Sequence, residues 1–404
     1  MLVAVAASLG GCGSAQRPDN QIPGRTLTVY FSGPTQGASS PAAMAALDGA
    51  RLALADARFR VGEYRIRLTA LDDSTPQSHG WDPNQTTLNA RLAAQDPTTI
   101  GYLGDFNSGA SAISIPLLNR VGIPQLSPGS TAVGLTTAGT GASPGEPVKY
   151  YPTGARTFAR VIPTDAGQAA AMVRAEQEIG CRSTFVLQDE EVDGEDAALT
   201  FLLTAHSAGL RVIAVQAFQR LAADYSALAR SVGTSGADCV LISSIDESSS
   251  ARLTEQIAAA VPRATIFASN GLADSAYTDP AEGGIRLSLD PRVIVISAAP
   301  PASAYPHRVR VVLAAYARQF GPPEPQSVFG YEAMKVLLSA IARATDGGRR
   351  TAERSKVLQA LFATRVEDSP LGRFRIDRAG DSTLRSFSAY RIVGGELAPL
   401  EPSG

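Results

Sequence analysis

Three cysteines, three histidines and one tryptophan are all this chain of 404 residues contains of those types. His79, His206 and His307 fall in a loop, a helix and a helix start, none of them beside a serine or cysteine in a recognisable motif. The one G-x-S-x-G match, at 141–145, lies in a Gly- and Pro-rich loop and not at a strand-to-helix elbow, and no H-E-x-x-H pair, C-x-x-C pair or P-loop occurs, so the sequence points away from an enzyme and from any bound cofactor or metal. A hydrolase would have to rest on a carboxylate pair such as Asp189 and Asp193. An excess of charge is missing too. With 36 basic and 38 acidic residues and a formal net charge of -2, there is no electrostatic case for nucleic acid. Beyond the first residues no apolar run has the length of a spanning helix, so the body does not read as a permease.

What is present begins at residue 1. An apolar run ends in Leu9-Gly10-Gly11-Cys12 and gives way to a polar stretch. This looks like a bacterial lipoprotein signal, too short to span a bilayer and with small residues at the processing position. Cleavage before Cys12 and lipidation of its thiol would hold a soluble body outside the cell membrane, periplasmic or lipid-anchored. The other reading is an apolar N-terminal strand with an incidental cysteine, since no Lys or Arg precedes Cys12.

If lipid takes Cys12, Cys181 and Cys239 remain as an even pair in an oxidising compartment. Each stands just before or at the start of a strand-like run, Ser183-Thr-Phe-Val-Leu-Gln188 and Val240-Leu-Ile-Ser243. Neighbouring parallel strands would bring them within bonding reach. A structural disulfide and two buried free thiols both fit.

The apolar pattern alternates along the chain. Strand-like 27–31, helix-like 42–57 and strand-like 64–71 are followed by helix 86–94, strand 100–103, helix 108–121 and strand 124–126. In the first helix Ala46, Gly49, Ala50, Ala53 and Leu54 make one stripe. A Gly-, Pro- and Thr-rich loop spans 138–151, and the alternation then restarts from 166 to 267. A buried-type strand at 293–297, two long helices at 306–320 and 330–344, and extended segments at 373–377 and 386–393 complete the pattern. This is an α/β chain with two units of parallel sheet covered by helices, crossing between lobes more than once.

At this point the order of landmarks carries a resemblance. Ser32-Gly33-Pro34 is followed by Leu47-Asp48-Gly49-Ala50-Arg51-Leu52-Ala53, then by Leu71-Asp72-Asp73 with Asp82-Pro83. Tyr102-Leu103-Gly104 leads to Asn107-Ser108, and Leu126-Ser127-Pro128-Gly129-Ser130-Thr131 comes next. Arg160-Val161-Ile162-Pro163-Thr164-Asp165, Gly330-Tyr331-Glu332-Ala333 and Phe374-Arg375-Ile376-Asp377 close the series. The chain resembles the type I periplasmic binding proteins of the branched-chain amino acid group, receptors of ABC importers. The resemblance implies two Rossmann-like lobes joined by a three-crossover hinge. Residues 1–24 would be signal and tether, 25–160 plus 298–385 the first lobe, and 161–297 plus 386–404 the second. It also implies a small-molecule ligand, an amino acid or a relative, held between the lobes, with permease and ATPase subunits on separate chains. A sensor on the same fold, signalling to a partner protein, is the alternative function.

Ligands of open parallel sheets gather beyond the carboxyl ends of the strands. Asn107 and Ser108 stand there at a helix start, where hydroxyl and backbone N–H groups suit a carboxylate. The resemblance gives Ser108 and Thr131 to the ligand carboxylate and the Gly129 carbonyl to its ammonium, with Ser130 between them. These hydroxyls also suit plain helix capping. In the second half, the acid that should meet the ammonium is replaced by Asn270, which accepts a hydrogen bond but offers no charge. Aromatic positions are taken by Ala38, Asp193 and Ile245, and either Asp193 or Asp246 stands near enough in sequence to supply the missing charge. Trp81 reads as a loop anchor or as part of the cleft mouth.

Overall fold

The computed structural model describes residues 20–299, 305, 307–385 and 387–400. Cys12 and the processing site lie outside them. Two sheets organise the chain. The first contains β1 (Thr26–Gly33), β2 (Tyr64–Asp72), β3 (Thr99–Leu103), β4 (Gln125–Ser127) and β5 (Phe158–Arg160), all parallel in the order β2-β1-β3-β4-β5. The two-residue strand Arg60–Val61 pairs antiparallel on the outer edge of β2. The second sheet repeats the order as β7-β6-β8-β9-β10, with β6 (Ser183–Gln188), β7 (Arg211–Ala217), β8 (Cys239–Ser243), β9 (Thr265–Ala268) and β10 (Val293–Ser297). β8 and β10 are buried along their whole length, as continuous apolar runs must be when helices cover both faces.

In the first half the helices α1 (Ser40–Asp56), α2 (Pro83–Gln95) and α3 (Ser108–Arg120) connect the strands. In the second half α4 (Asp165–Glu178), α5 (Val192–Ser207), α6 (Ser226–Ser235) and α7 (Glu247–Ala260) do so. α8 (His307–Phe320), α9 (Gln326–Ala344) and α10 (Arg354–Phe362) return to the first half, where α9 lies along α1. The small residues of the α1 stripe permit that approach. A Cβ on Gly49 would stand 2.0 Å from the Ser327 carbonyl oxygen, and one on Gly330 1.8 Å from that of Ala46, distances no side chain can occupy. Ala43, Ala46, Leu47, Ala50 and Ala53 are buried beside this crossing.

The chain leaves the first sheet after Arg160, leaves the second after Ser297, and re-enters the second at Ser388. These three passages join the two lobes. They also make the second sheet mixed, mostly parallel with an antiparallel edge. β11 (Ser388–Val393) pairs antiparallel with β10, and β12 (Glu396–Pro399) antiparallel with β11. Because β10 departs at its carboxyl end and β11 arrives at that same end, with Ser388 opposite Ser297, the new strand can only run the other way.

Cys181 and Cys239 are joined by a disulfide with 5.9 Å between Cα atoms. The bond ties the residues entering β6 and β8, which are neighbours in the sheet.

Candidate functional site

Both sheets have a switch point, where the chain order turns around, between the first strand and its inner neighbour. In the first lobe it lies between β1 and β3, in the second between β6 and β8. The loops leaving these four strands, with those after β4, β5 and β9, line a cavity of about 40 Å³ between the lobes, room for a few waters or a compact solute group. The first lobe contributes Ser39, Phe106, Asn107, Gly129 and Thr131. The second contributes Asp165, Gln168, Asp193, Ile245 and Asn270.

The lobes touch directly around this cavity. Ser39 N–H donates to Glu247 Oε1 and Oε2 at 3.0 and 3.1 Å, and Ser39 Oγ donates to the Ile245 carbonyl at 3.1 Å. Trp81 Nε1 donates to Glu191 Oε2 at 3.1 Å, while Glu191 also pairs with Arg220 at 2.5 Å. Trp81 is therefore a contact between lobes, its ring lying so close to α3 that a Cβ on Gly109 would meet it at 2.5 Å.

The third contact changes the chemistry of the site. Ser108, the first residue of α3, donates its backbone N–H to Asp193 Oδ2 at 3.1 Å and Oδ1 at 3.3 Å. Its Oγ accepts the N–H groups of Thr131 (3.1 Å) and Ala132 (3.2 Å). Burial raises the Asp193 carboxyl to about 7, and the hydrogen bonds from the Ser108 hydroxyl and backbone oppose that rise. α5 begins at Val192, which places Asp193 in its first turn and in the cleft.

Asp165, at the start of α4, is the acid the sequence reading passed over. Its Oδ1 accepts from Gln168 Nε2 at 2.6 Å, its Oδ2 is buried without a partner, and only 1% of the residue is exposed. Burial raises it to about 6, opposed by the nearby Thr131 hydroxyl, the Arg160 charge and the Gln168 hydrogen bond. Its position, first in the helix entered after the first lobe crossing, was the available signal. Arg160 itself is fully buried and committed: Nε to Asp381 Oδ1 at 2.9 Å, Nη1 to the Ser130 carbonyl at 2.9 Å, Nη2 to Thr136 Oγ1 at 2.7 Å. None of the residues lining the cavity is basic.

Of the residues singled out in the sequence, Asn107, Gly129, Thr131, Asp193, Ile245 and Asn270 line the cavity, and Ser108 touches it through Asp193. Ser130 does not line it. Its Oγ is bound to the Asp105 carbonyl and Ser111 Oγ, inside the first lobe. Asp246 is also elsewhere, as the N-cap of α7, accepting from Ser249 N–H at 2.9 Å. Asn270 lines the cavity, but its Oδ1 accepts from Ala298 N–H at 3.0 Å, so its acceptor serves the second lobe crossing. Ala38 faces a groove outside, and its neighbour Ser39 takes the lining position.

Comparison with known families and structures agrees with this architecture. The periplasmic binding protein family profile matches residues 26–396, and the chain belongs to that family. A leucine-binding protein LivK from Thermotoga maritima superposes with a TM-score of 0.77 at 20% identity, over 92% of this chain and 97% of that one. An R. palustris ABC transporter solute-binding protein in complex with benzoate gives 0.75 at 17% identity, over 93% and 95%. The Streptococcus pneumoniae substrate-binding protein LivJ in complex with isoleucine gives 0.74 at 14%, over 92% and 97%. No curated protein sequence matches the chain. Among the described residues no helix is long and apolar enough to cross a membrane.

Proposed function

We propose that the protein is the extracytoplasmic solute receptor of an ABC importer, closing its lobes on a small polar ligand, an amino acid or a relative, that carries an amine. In this reading the lobes are residues 25–160 plus 298–385 and 161–297 plus 386–404, Cys12 carries a lipid, and permease and ATPase are separate chains. The observation behind the amine is the direction of the unmet hydrogen bonds. Asp165 and Asn107 line the cavity, Asp165 Oδ2 and Asn107 Oδ1 are buried without a hydrogen-bond partner, and both atoms are acceptors. Asn107 is held in that orientation because its Nδ2 donates to Ser39 Oγ at 3.3 Å. Two acids in a cavity that no basic side chain lines favour a cation, and unmet buried acceptors gain most from a charged donor.

A thermal-shift screen against amines, polyamines, amino acids, amides and carboxylates tests the proposal. Binding to the native state raises the melting temperature. Amine-bearing compounds are expected to raise it, and a rise confined to carboxylates lacking an amine would contradict the reading.

A further inference from the structure

α3 is a helix of 13 residues whose first N–H, that of Ser108, points at the lobe interface. A helix start without a side-chain cap of its own favours negative charge. Here the negative group comes from the chain. Asp193 reaches across from α5 and takes the Ser108 N–H with both oxygens. The Ser108 hydroxyl accepts two N–H groups from the loop after β4, so a second anion at this helix start would have to compete with Asp193 for the Ser108 N–H. A ligand carboxylate would have to displace Asp193 in a cavity that Asp165 also lines and that has no basic side chain.

We propose that Asp193 is the specificity-determining residue of the cleft, a built-in carboxylate that fills the anion position at α3 and so excludes ligand carboxylates. The proposal rests on the cleft assigned above as the ligand site and narrows its ligand class to amines that bring no carboxylate to this end. Shortening the side chain would free the Ser108 N–H, remove one negative charge and open space beside α3, leaving a position built for a small anion.

The test uses Asp193→Ala and Asp193→Ser in the full chain, each confirmed folded by its circular dichroism melt, with acetate as the probe. Wild type is expected to ignore acetate. The shortened variants are expected to bind it tighter by about tenfold or more, the value of charge-assisted hydrogen bonds regained. Asp193→Asn keeps the bulk and is expected to remain near wild type. A folded shortened variant that binds acetate no better than wild type would overturn the proposal. So would a gain in Asp193→Asn equal to that in Asp193→Ala, which would assign exclusion to charge alone. Acetate carries no amine, so this outcome is independent of the amine reading, and a parallel titration of wild type with propylamine reports on that reading separately.

Discussion

Ser39 and Glu247 lie in different lobes, and the backbone N–H of Ser39 donates to both carboxyl oxygens of Glu247. Ser39 is the N-cap of α1, in a left-handed conformation at φ 61°, and Glu247 is the first residue of α7. Burial, with Asp274 next to it, raises the Glu247 carboxyl well above its ordinary range, so the contact is worth about 1 kcal/mol, as for a neutral hydrogen bond. Glu247→Ala is expected to shift the unliganded protein toward open lobes, read as a larger radius of gyration in small-angle scattering. An unchanged radius would show that this contact does not hold the lobes.

The α1–α9 crossing gives a prediction about the first lobe. A methyl group at Gly330 cannot fit 1.8 Å from the Ala46 carbonyl oxygen, and both neighbours are backbone. Gly330→Ala should cost about 1–3 kcal/mol as the helices are forced apart. Denaturant unfolding would detect it, and a neutral effect would mean that the helices slide freely.

The disulfide closes a loop with a sequence separation of 58. Removing it with Cys181→Ser and Cys239→Ser should cost about 2–4 kcal/mol, through the entropy returned to the unfolded chain. Melting with and without reductant should show the same loss in wild type.

Stability should also depend on pH. Burial raises Glu176 to about 8 against the Thr184 hydrogen bond, and Asp196 to about 8 with Asp165 and Glu146 adding to the rise. Glu191 and Asp193 stand near 7, again chiefly through burial. In the unfolded chain these acids ionise near 4. Their raised values favour folding below that pH, and the contribution is lost as pH rises through 7 and 8. The lowered acids Asp72, Asp96 and Glu146 lose theirs only in stronger acid. The unliganded protein should therefore melt higher at pH 5–6 than at pH 8, and Glu176→Gln should reduce the difference. A melting temperature that rises from pH 5 to pH 8 would contradict this.

The sequence made the lobes legible because each rests on local signals: apolar runs for strands buried on both faces, and the alanine and glycine stripe of α1 for a close helix crossing. The antiparallel β11 and β12 were not legible, since their direction follows from where the chain re-enters the second sheet. Asn107 could be placed near the cleft by its position at a helix start beyond a strand, and Thr131 by the resemblance. Asp246 and Asp193 look alike in sequence, each an acid at a helix start. Yet Asp246 turns inward to cap α7 with Ser249, while Asp193 leaves its own helix for Ser108 of the other lobe, a choice made only when the lobes meet. Asp165 was overlooked for a related reason: its cavity-facing oxygen becomes distinctive only once burial leaves it unpartnered.

The sign of the ligand's charge is the centre of this account. It is tested most directly by calorimetric titration of the wild-type protein at pH 7.5 with pairs of matched size, propylamine against propionate and benzylamine against benzoate. The account predicts saturable heat with an amine of a pair and none with its carboxylate. Binding of propionate or benzoate, with the amines inert, would contradict it.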